Sequence, residues 1–307
     1  MSAGLRQAIA DYLAVRRSLG FRLARPEKLL AQFAGYLEQA GAATVTTEHA
    51  LAWAVLPGGD PAWHAYRLAV ARGFAAWLRT TDPAAQIPPA GLIPARKQRA
   101  TPYLYADDEI AALITAAESL RSPLRTATYQ TLIGLLSVSG MRVGEVIGLD
   151  RGDADLDEGV LTVRQAKHGK SRLIPLHPTT ARALRAYQQA RDELCPRQRT
   201  AALLISPAGT RLLYRNVHAT WQLLAASAGL RPRSAQCRPR IHDLRHSFAV
   251  RTLLDAYETG QDGQAALTLL STYLGHANPK ATYWYLTASP DLMAAAGRRL
   301  EEWLERP

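Results

Sequence analysis

The sequence predicts a mainly α protein with a small β-sheet, an α+β fold built in two parts. Three observations carry that expectation. Apolar residues recur at three- and four-residue spacing through most of the 307 positions, the period of helices with one buried face. Only Val160–Gln165 and Arg172–Leu176 read as short β-like runs, separated by AKHGKS with Gly169 placed for a hairpin turn. Between Thr80 and Thr101 the periodicity fails altogether, and a chain of this length can bury a separate core on either side of such a break.

Residues 1–80 are expected to form a helical domain. Ile9, Leu13, Val15 and Leu19 recur at helix-like spacing, and Gly20 closes that first helix. A second starts near Pro26, a good first-turn residue, and carries Leu29, Leu30, Phe33 and Leu37 on one side. Thr46 or Thr47 caps a third, with Glu48 in its first turn. Trp63–Leu78 makes a fourth, rich in alanine and aromatic side chains. Residues 81–101 read as a linker. Pro83, Pro88, Pro89 and Pro94 break any helix, and Arg96, Lys97 and Arg99 follow without an acid. Such a segment is either a basic strap along DNA or a plain solvated connector.

Residues 102–307 are expected to form a larger mixed domain. Asp107–Ser119 and Leu124–Ser137 precede the hairpin as helices, and Thr179–Glu193, Asn216–Ala226, Asp243–Tyr257 and Gln264–Tyr273 follow it. A terminal helix starts at Ser289-Pro290-Asp291. Its Leu292, Met293, Leu300 and Trp303 suit either docking on a neighbouring protomer or packing on their own domain. The chain shows no repeats and no low-complexity tracts.

Composition narrows the function. A hydrophobic share of 48% with 21% charged residues is that of an ordinary soluble globular protein. The formal net charge of +11 is not ordinary. It favours a polyanionic partner, with nucleic acid first because no membrane-binding feature competes. Cys195 and Cys237 stand in neither a disulfide framework nor a metal-ligand spacing, which fits a reducing, cytoplasmic setting. MSAGLRQAIADYL reads as the start of an amphipathic helix rather than a signal peptide, and no apolar run is long enough to span a membrane. Eight histidines without HExxH or paired-ligand spacing argue against a metal site. Asp153, Asp155, Asp157 and Glu158 form a dense acidic cluster, read as a solvated turn before the first hairpin strand rather than the heart of a metal-dependent nuclease.

The chemistry concentrates in six residues on five segments. In order they supply Arg142 in SGMRVGEVIGL, Lys167 in VRQAKHGKSRLIPL, His242 and Arg245 in HDLRHSF, His276 in YLGH, and Tyr285 in ATYWYLT. Two arginines, a lysine, two histidines and a tyrosine suit the task of holding a phosphodiester while a phenolic oxygen attacks it. Guanidinium groups are planar, permanently charged and able to donate two parallel bonds to the non-bridging oxygens. Arg142 follows Ser139-Gly140 at an expected helix start, where backbone amides add to the positive field. His242, Arg245 and His246 are spaced to share one helix face. Lys167 and Lys170 compete for a proton-donor role on the hairpin, and Arg172 and Lys170 are candidate DNA contacts with Arg96, Lys97 and Arg99. Tyr283 rivals Tyr285 as nucleophile, since two residues apart on a helix they point to different faces.

These segments, in this order from about Tyr103 to Leu286, resemble the tyrosine recombinase (phage integrase) family. Arg142-Val-Gly-Glu145 and His242-Asp-Leu-Arg245 match two family motifs position for position. The resemblance implies a helical N-terminal core-binding domain, a mixed catalytic domain, and a clamp closed on double-stranded DNA. It implies that Arg142 and Arg245 contact the scissile phosphate, that Lys167 protonates the departing 5′-hydroxyl, and that His242 accepts a proton or binds the phosphate. His276 would donate to a non-bridging oxygen, and Tyr285, nine residues later, would form a 3′-phosphotyrosyl link. No metal or nucleotide cofactor is implied, because that link stores the bond energy. A homo-tetramer acting on two DNA sites is implied, alone or with sister recombinases, in a bacterial cytoplasm and on the nucleoid when DNA-bound. The STYLGH and TYWYL wording leans toward recombinases of transposons rather than the chromosome-dimer resolving type. One departure is a longer stretch between His242 and His276, around AYETGQDGQAA. The alternatives are type IB topoisomerase-like strand relaxation, or an accessory DNA-binding recombinase that needs sister proteins.

Overall fold

The computed structural model describes residues 2–95, 100–164, 171–275, 282–283, 292–295, 297–298 and 301. The chain divides into two compact units, Met1–Arg99 and Ala100–Pro307.

In the first unit α1 (Ser2–Ser18), α2 (Ala24–Gln39), α3 (Thr47–Val55) and α4 (Pro61–Leu78) surround one apolar core. Leu5, Ile9 and Leu13, four residues apart, are the buried row of α1. Val15 and Leu19, expected on that side, are 46% and 66% exposed. Val15 lies about 200° around the helix from Leu13 at 3.6 residues per turn, and the helix ends at Ser18 before Gly20 turns the chain at φ +85°. Leu29, Leu30, Phe33 and Leu37 are buried on α2 as their spacing requires. Its Pro26 sits in the first turn, where a missing N–H breaks no helical bond. Thr46, not Thr47, caps α3: its hydroxyl accepts the His49 N–H at 3.1 Å. Asp60 caps α4 by accepting the Ala62 N–H at 2.8 Å. The proline-rich stretch then folds back on this unit. Ala85 is buried in its core, and Gln86 donates its N–H to the Val45 carbonyl at 2.8 Å.

In the second unit α5 (Asp107–Ala116) ends in a tighter turn over Ala117–Ser119, and α6 (Pro123–Ser139) runs through the core with Leu132, Ile133 and Leu136 fully enclosed. A short α7 (Val143–Val146) leads to a sheet. Among the described residues this sheet has three antiparallel strands in the order β1 (Ala154–Asp155), β2 (Val160–Val163), β3 (Arg172–Pro175). Leu161 faces Ile174 and Val163 faces Arg172, so Leu161, Val163 and Ile174 reach the core while Leu173 stays in solvent. The hairpin tip, 165–170, lies outside the described residues.

The acidic turn needs correction. Ala154–Asp155 is a strand against Leu161 and Val160, and Asp153 is buried in an ion pair with Arg164. Asp155, Asp157 and Glu158 are exposed, as expected of a solvated turn, with Asp157 beside Arg185. A partner eleven residues away leaves no local trace in the sequence.

Four further helices follow among the described residues: α8 (Pro178–Leu194), α9 (Tyr214–Ser227), α10 (Asp243–Glu258) and α11 (Gly263–Tyr273). A second apolar cluster joins α10 and α11 through Val250, Leu253, Leu267 and Leu270. Leu292 of the terminal segment enters that cluster of its own unit, whereas Met293 is 61% exposed; Leu300 and Trp303 lie outside the described residues. No helix among the described residues is long and apolar enough to cross a membrane.

Candidate active site

Arg142 stands in the sharp bend between α6 and α7. Gly140 closes α6 in the left-handed region at φ +56°, and a Cβ there would collide with the Phe248 ring, so only glycine fits. Two residues later Arg142 is the residue before α7. Its N–H donates to Glu145 Oε2 at 2.8 Å, and its guanidinium Nη1 donates to Glu145 Oε1 at 2.7 Å. Glu145 is thus a cap that folds back on its own turn. Nε and Nη2 of Arg142 have no partner among the described residues.

Arg172, offered by the sequence as a DNA contact, lies against the same carboxylate. Its Nη2 donates to Glu145 Oε2 at 2.7 Å and its Nη1 to Oε1 at 3.2 Å. Burial alone would raise the Glu145 pKa. Hydrogen bonds from Arg172 and the Arg142 backbone, with the nearby positive charge, outweigh it and pull the value down to about 2. Glu145 is therefore a fixed negative charge at any physiological pH.

Arg245, in the first turn of α10, is 2% exposed. Its Nη1 donates to the Gly140 carbonyl at 2.8 Å and its Nη2 to the Leu274 carbonyl at 2.7 Å. One side chain thereby ties the bend before Arg142 to the end of α11, two residues before His276. These two bonds fix the orientation of the Arg245 guanidinium.

His242 immediately precedes α10 and is exposed on one side, with protein crowding the other. That crowding, then the positive charges of Arg245, Arg142 and Arg240, lowers its pKa below the usual histidine value. The neutral ring, with a lone pair able to accept a proton, is the form favoured near neutrality. The ring of His246 meets that of His242 edge-on at 5.2 Å and comes within 3.9 Å of Asp243. Asp243 is fully buried and takes two hydrogen bonds from Arg240, at 2.9 and 3.0 Å, and one from the Tyr103 N–H at 3.2 Å. Tyr105 N–H donates to Ser247 Oγ at 2.7 Å. The segment entering this unit is thus strapped to the start of the helix that carries His242 and Arg245.

The structure brings together Arg142, Arg172, His242 and Arg245. Lys167, Lys170, His276, Tyr285, Arg96, Lys97 and Arg99 lie outside the described residues. Tyr283, the rival nucleophile, is described and 49% exposed. Sequence reasoning quoted Glu145 only as part of a pattern and gave Asp243 and Arg240 no role. Each forms a pair across three positions, Arg142 with Glu145 and Arg240 with Asp243, a spacing that marks neighbours on a helical turn. The pairing of Arg172 with Glu145, 27 positions apart, had no such signal.

Comparison with known proteins agrees with this geometry. The model of the phage integrase family matches residues 104–291. The chain is 45% identical to the Sinorhizobium fredii protein named "Putative integrase/recombinase y4rB", over 98% of both chains. It is 32% identical to the tyrosine recombinase XerC of Azotobacter vinelandii, over 71% of this chain and 67% of that one. Two solved structures share the fold. The Tn1549 transposon integrase in complex with transposon right end DNA covers 96% of this chain and 98% of its own, with TM-score 0.64 and 17% identity. The XerH recombinase bound to palindromic difH substrate covers 98% and 85%, with TM-score 0.63 and 20% identity. The chain belongs to the phage integrase family of tyrosine recombinases.

Proposed function

We propose that this protein is a site-specific recombinase that cuts and rejoins double-stranded DNA without a metal or nucleotide cofactor, in the integration, excision or transposition of a mobile element. The observation that carries this reading is the convergence of Arg142, Arg245 and His242 on one bend, with a third guanidinium, Arg172, and one carboxylate behind them. Such a cluster suits a phosphodiester at the moment a fifth oxygen approaches and negative charge on the non-bridging oxygens grows. Arg142 and Arg245 hold those oxygens, and His276 donates to one of them. His242, kept neutral, takes the proton from the Tyr285 phenol as its oxygen bonds to phosphorus. The bond to the 5′ oxygen breaks, and Lys167 supplies the proton that makes a 5′-hydroxyl. A 5′-hydroxyl from a partner strand reverses the step.

Residues 1–80 serve as the core-binding half of the clamp, with 81–101 as linker and 102–307 as catalytic domain. A homo-tetramer on two DNA sites, with or without sister recombinases, then exchanges strands in the cytoplasm, on the nucleoid. The test is covalent trapping on nicked DNA from the ends of the mobile element, run in chelator. A detergent-resistant adduct that Tyr285→Phe abolishes supports the reading. In the same assay Arg245→Ala is expected to slow adduct formation by about 10²–10³-fold with little loss of binding, since its bonds strengthen as charge develops. An adduct that survives Tyr285→Phe transfers the nucleophile to Tyr283. Relaxation of supercoils with no joining between two sites marks a topoisomerase instead.

A further inference from the structure

Arg172 touches three segments that carry proposed catalytic groups. It opens β3, directly after the hairpin of Lys167, and pairs across the sheet with Val163. Its guanidinium grips Glu145 through both terminal nitrogens. It also lies under Gly275, the residue before His276: a Cβ on Gly275 would stand 3.2 Å from Arg172 Nη1. The side chain is 13% exposed, too enclosed to lie along a DNA backbone as an ordinary surface contact.

The charge arithmetic of the bend makes this contact matter. Glu145 bonds both the backbone and the guanidinium of Arg142, and so holds that arginine in place. A carboxylate so close also opposes the work proposed for Arg142, because its negative charge offsets the guanidinium that must attract a phosphate. Arg172 answers that charge with a two-point grip. The trio carries one net positive charge rather than none, and Arg142 keeps Nε and Nη2 for a phosphate.

Resting on the recombinase reading above, we infer that Arg172 is a positioning residue: it neutralises Glu145 so that Arg142 can be held by that carboxylate yet keep its charge for the scissile phosphate. Arg172 itself touches no reacting atom.

The experiment measures single-turnover cleavage of nicked duplex, as a function of DNA concentration, in the full chain. The variants are Arg172→Gln, Glu145→Gln and the double variant. Arg172→Gln is expected to lower the rate at saturating DNA by 30-fold or more while Kd changes less than threefold. Adding Glu145→Gln to it is expected to restore at least tenfold, since the uncompensated carboxylate is then gone. A structural prop would show the opposite pattern, with the double variant no faster than either single one, and that overturns the inference. A rise in Kd with an unchanged saturating rate also overturns it and returns Arg172 to the DNA contacts. Wild type with no Tyr285-dependent adduct would instead be a failure of the recombinase reading. In that case carbon-13 NMR titration of Glu145 still decides the local claim. A carboxylate titrating near 2 that moves up in Arg172→Gln supports it, and one in the ordinary range overturns it.

Discussion

His242 shows how little of a side chain's role lies in its own chemistry. It stands half in solvent at a helix start, yet three arginines, Arg245, Arg142 and Arg240, press its pKa down on top of the effect of burial. A depressed histidine is neutral in the folded protein where the unfolded chain begins to take a proton. The unfolded state therefore binds more protons between the folded value and 6.5, and stability falls as pH drops through that window. For the reaction the sign is the same: the proton acceptor is lost only on further acidification. The acid limb of the cleavage rate against pH is expected below 6.5, and His242→Gln should remove that limb. An acid limb above 6.5 that depends on His242 would mean a raised pKa and a different role. Arg245 makes the complementary point. Its burial and its two carbonyl bonds make it a structural rivet that fixes the bend before Arg142.

Among the elements, the bend between α6 and α7 positions most. Gly140 ends one helix in a left-handed turn, gives its carbonyl to Arg245, and packs so tightly on Phe248 of α10 that no Cβ fits. Gly140→Ala is therefore expected to cost about 1–3 kcal/mol from strained backbone and overpacking together. Denaturant unfolding would measure that loss, and cleavage should fall further than stability does, because Arg142 moves with the turn. A neutral Gly140→Ala would mean the bend can relax without displacing Phe248. Helices in each unit were legible in the sequence: the apolar row of α2, the existence of α4 and α6 and a threonine cap at Thr46 or Thr47 follow from spacing and cap chemistry. The face of α1 was misjudged at its C-terminal end, where Val15 and Leu19 are apolar but turned to solvent. Strand β1 was missed because two residues carry no period.

At the scale of the molecule, the chain is two compact units with a net charge of +11 spread along it. Binding to duplex DNA is expected to weaken steeply with salt, since each phosphate neutralised releases condensed counterions and adds about 0.9 to the slope of log K against log salt. Replacing Arg96, Lys97 and Arg99 together by alanine separates the two readings of the basic segment. A strap along the backbone loses roughly 2–3 from that slope; a solvated connector loses nothing measurable. Filter binding or fluorescence anisotropy across a salt series reads the difference directly.

The α+β class and most helix spans are local properties, set by apolar spacing, caps and breakers within a few residues, and they could be read in order along the chain. The segments that hold Arg142, His242 and Arg245 were legible for another reason: they resemble two motifs of the tyrosine recombinase family, and their side chains suit phosphate chemistry. What needed three dimensions were the contacts made across long separations. Asp153 finds Arg164, Asp243 receives the Tyr103 backbone, Arg245 spans Gly140 and Leu274, and Arg172 reaches Glu145. Each is a charge or a polar group taken out of water, and burial is tolerable only beside a partner that the folded chain brings into reach. Spacing along the chain reveals which residues are able to do the chemistry; only packing decides which charges are cancelled and which are left for the substrate.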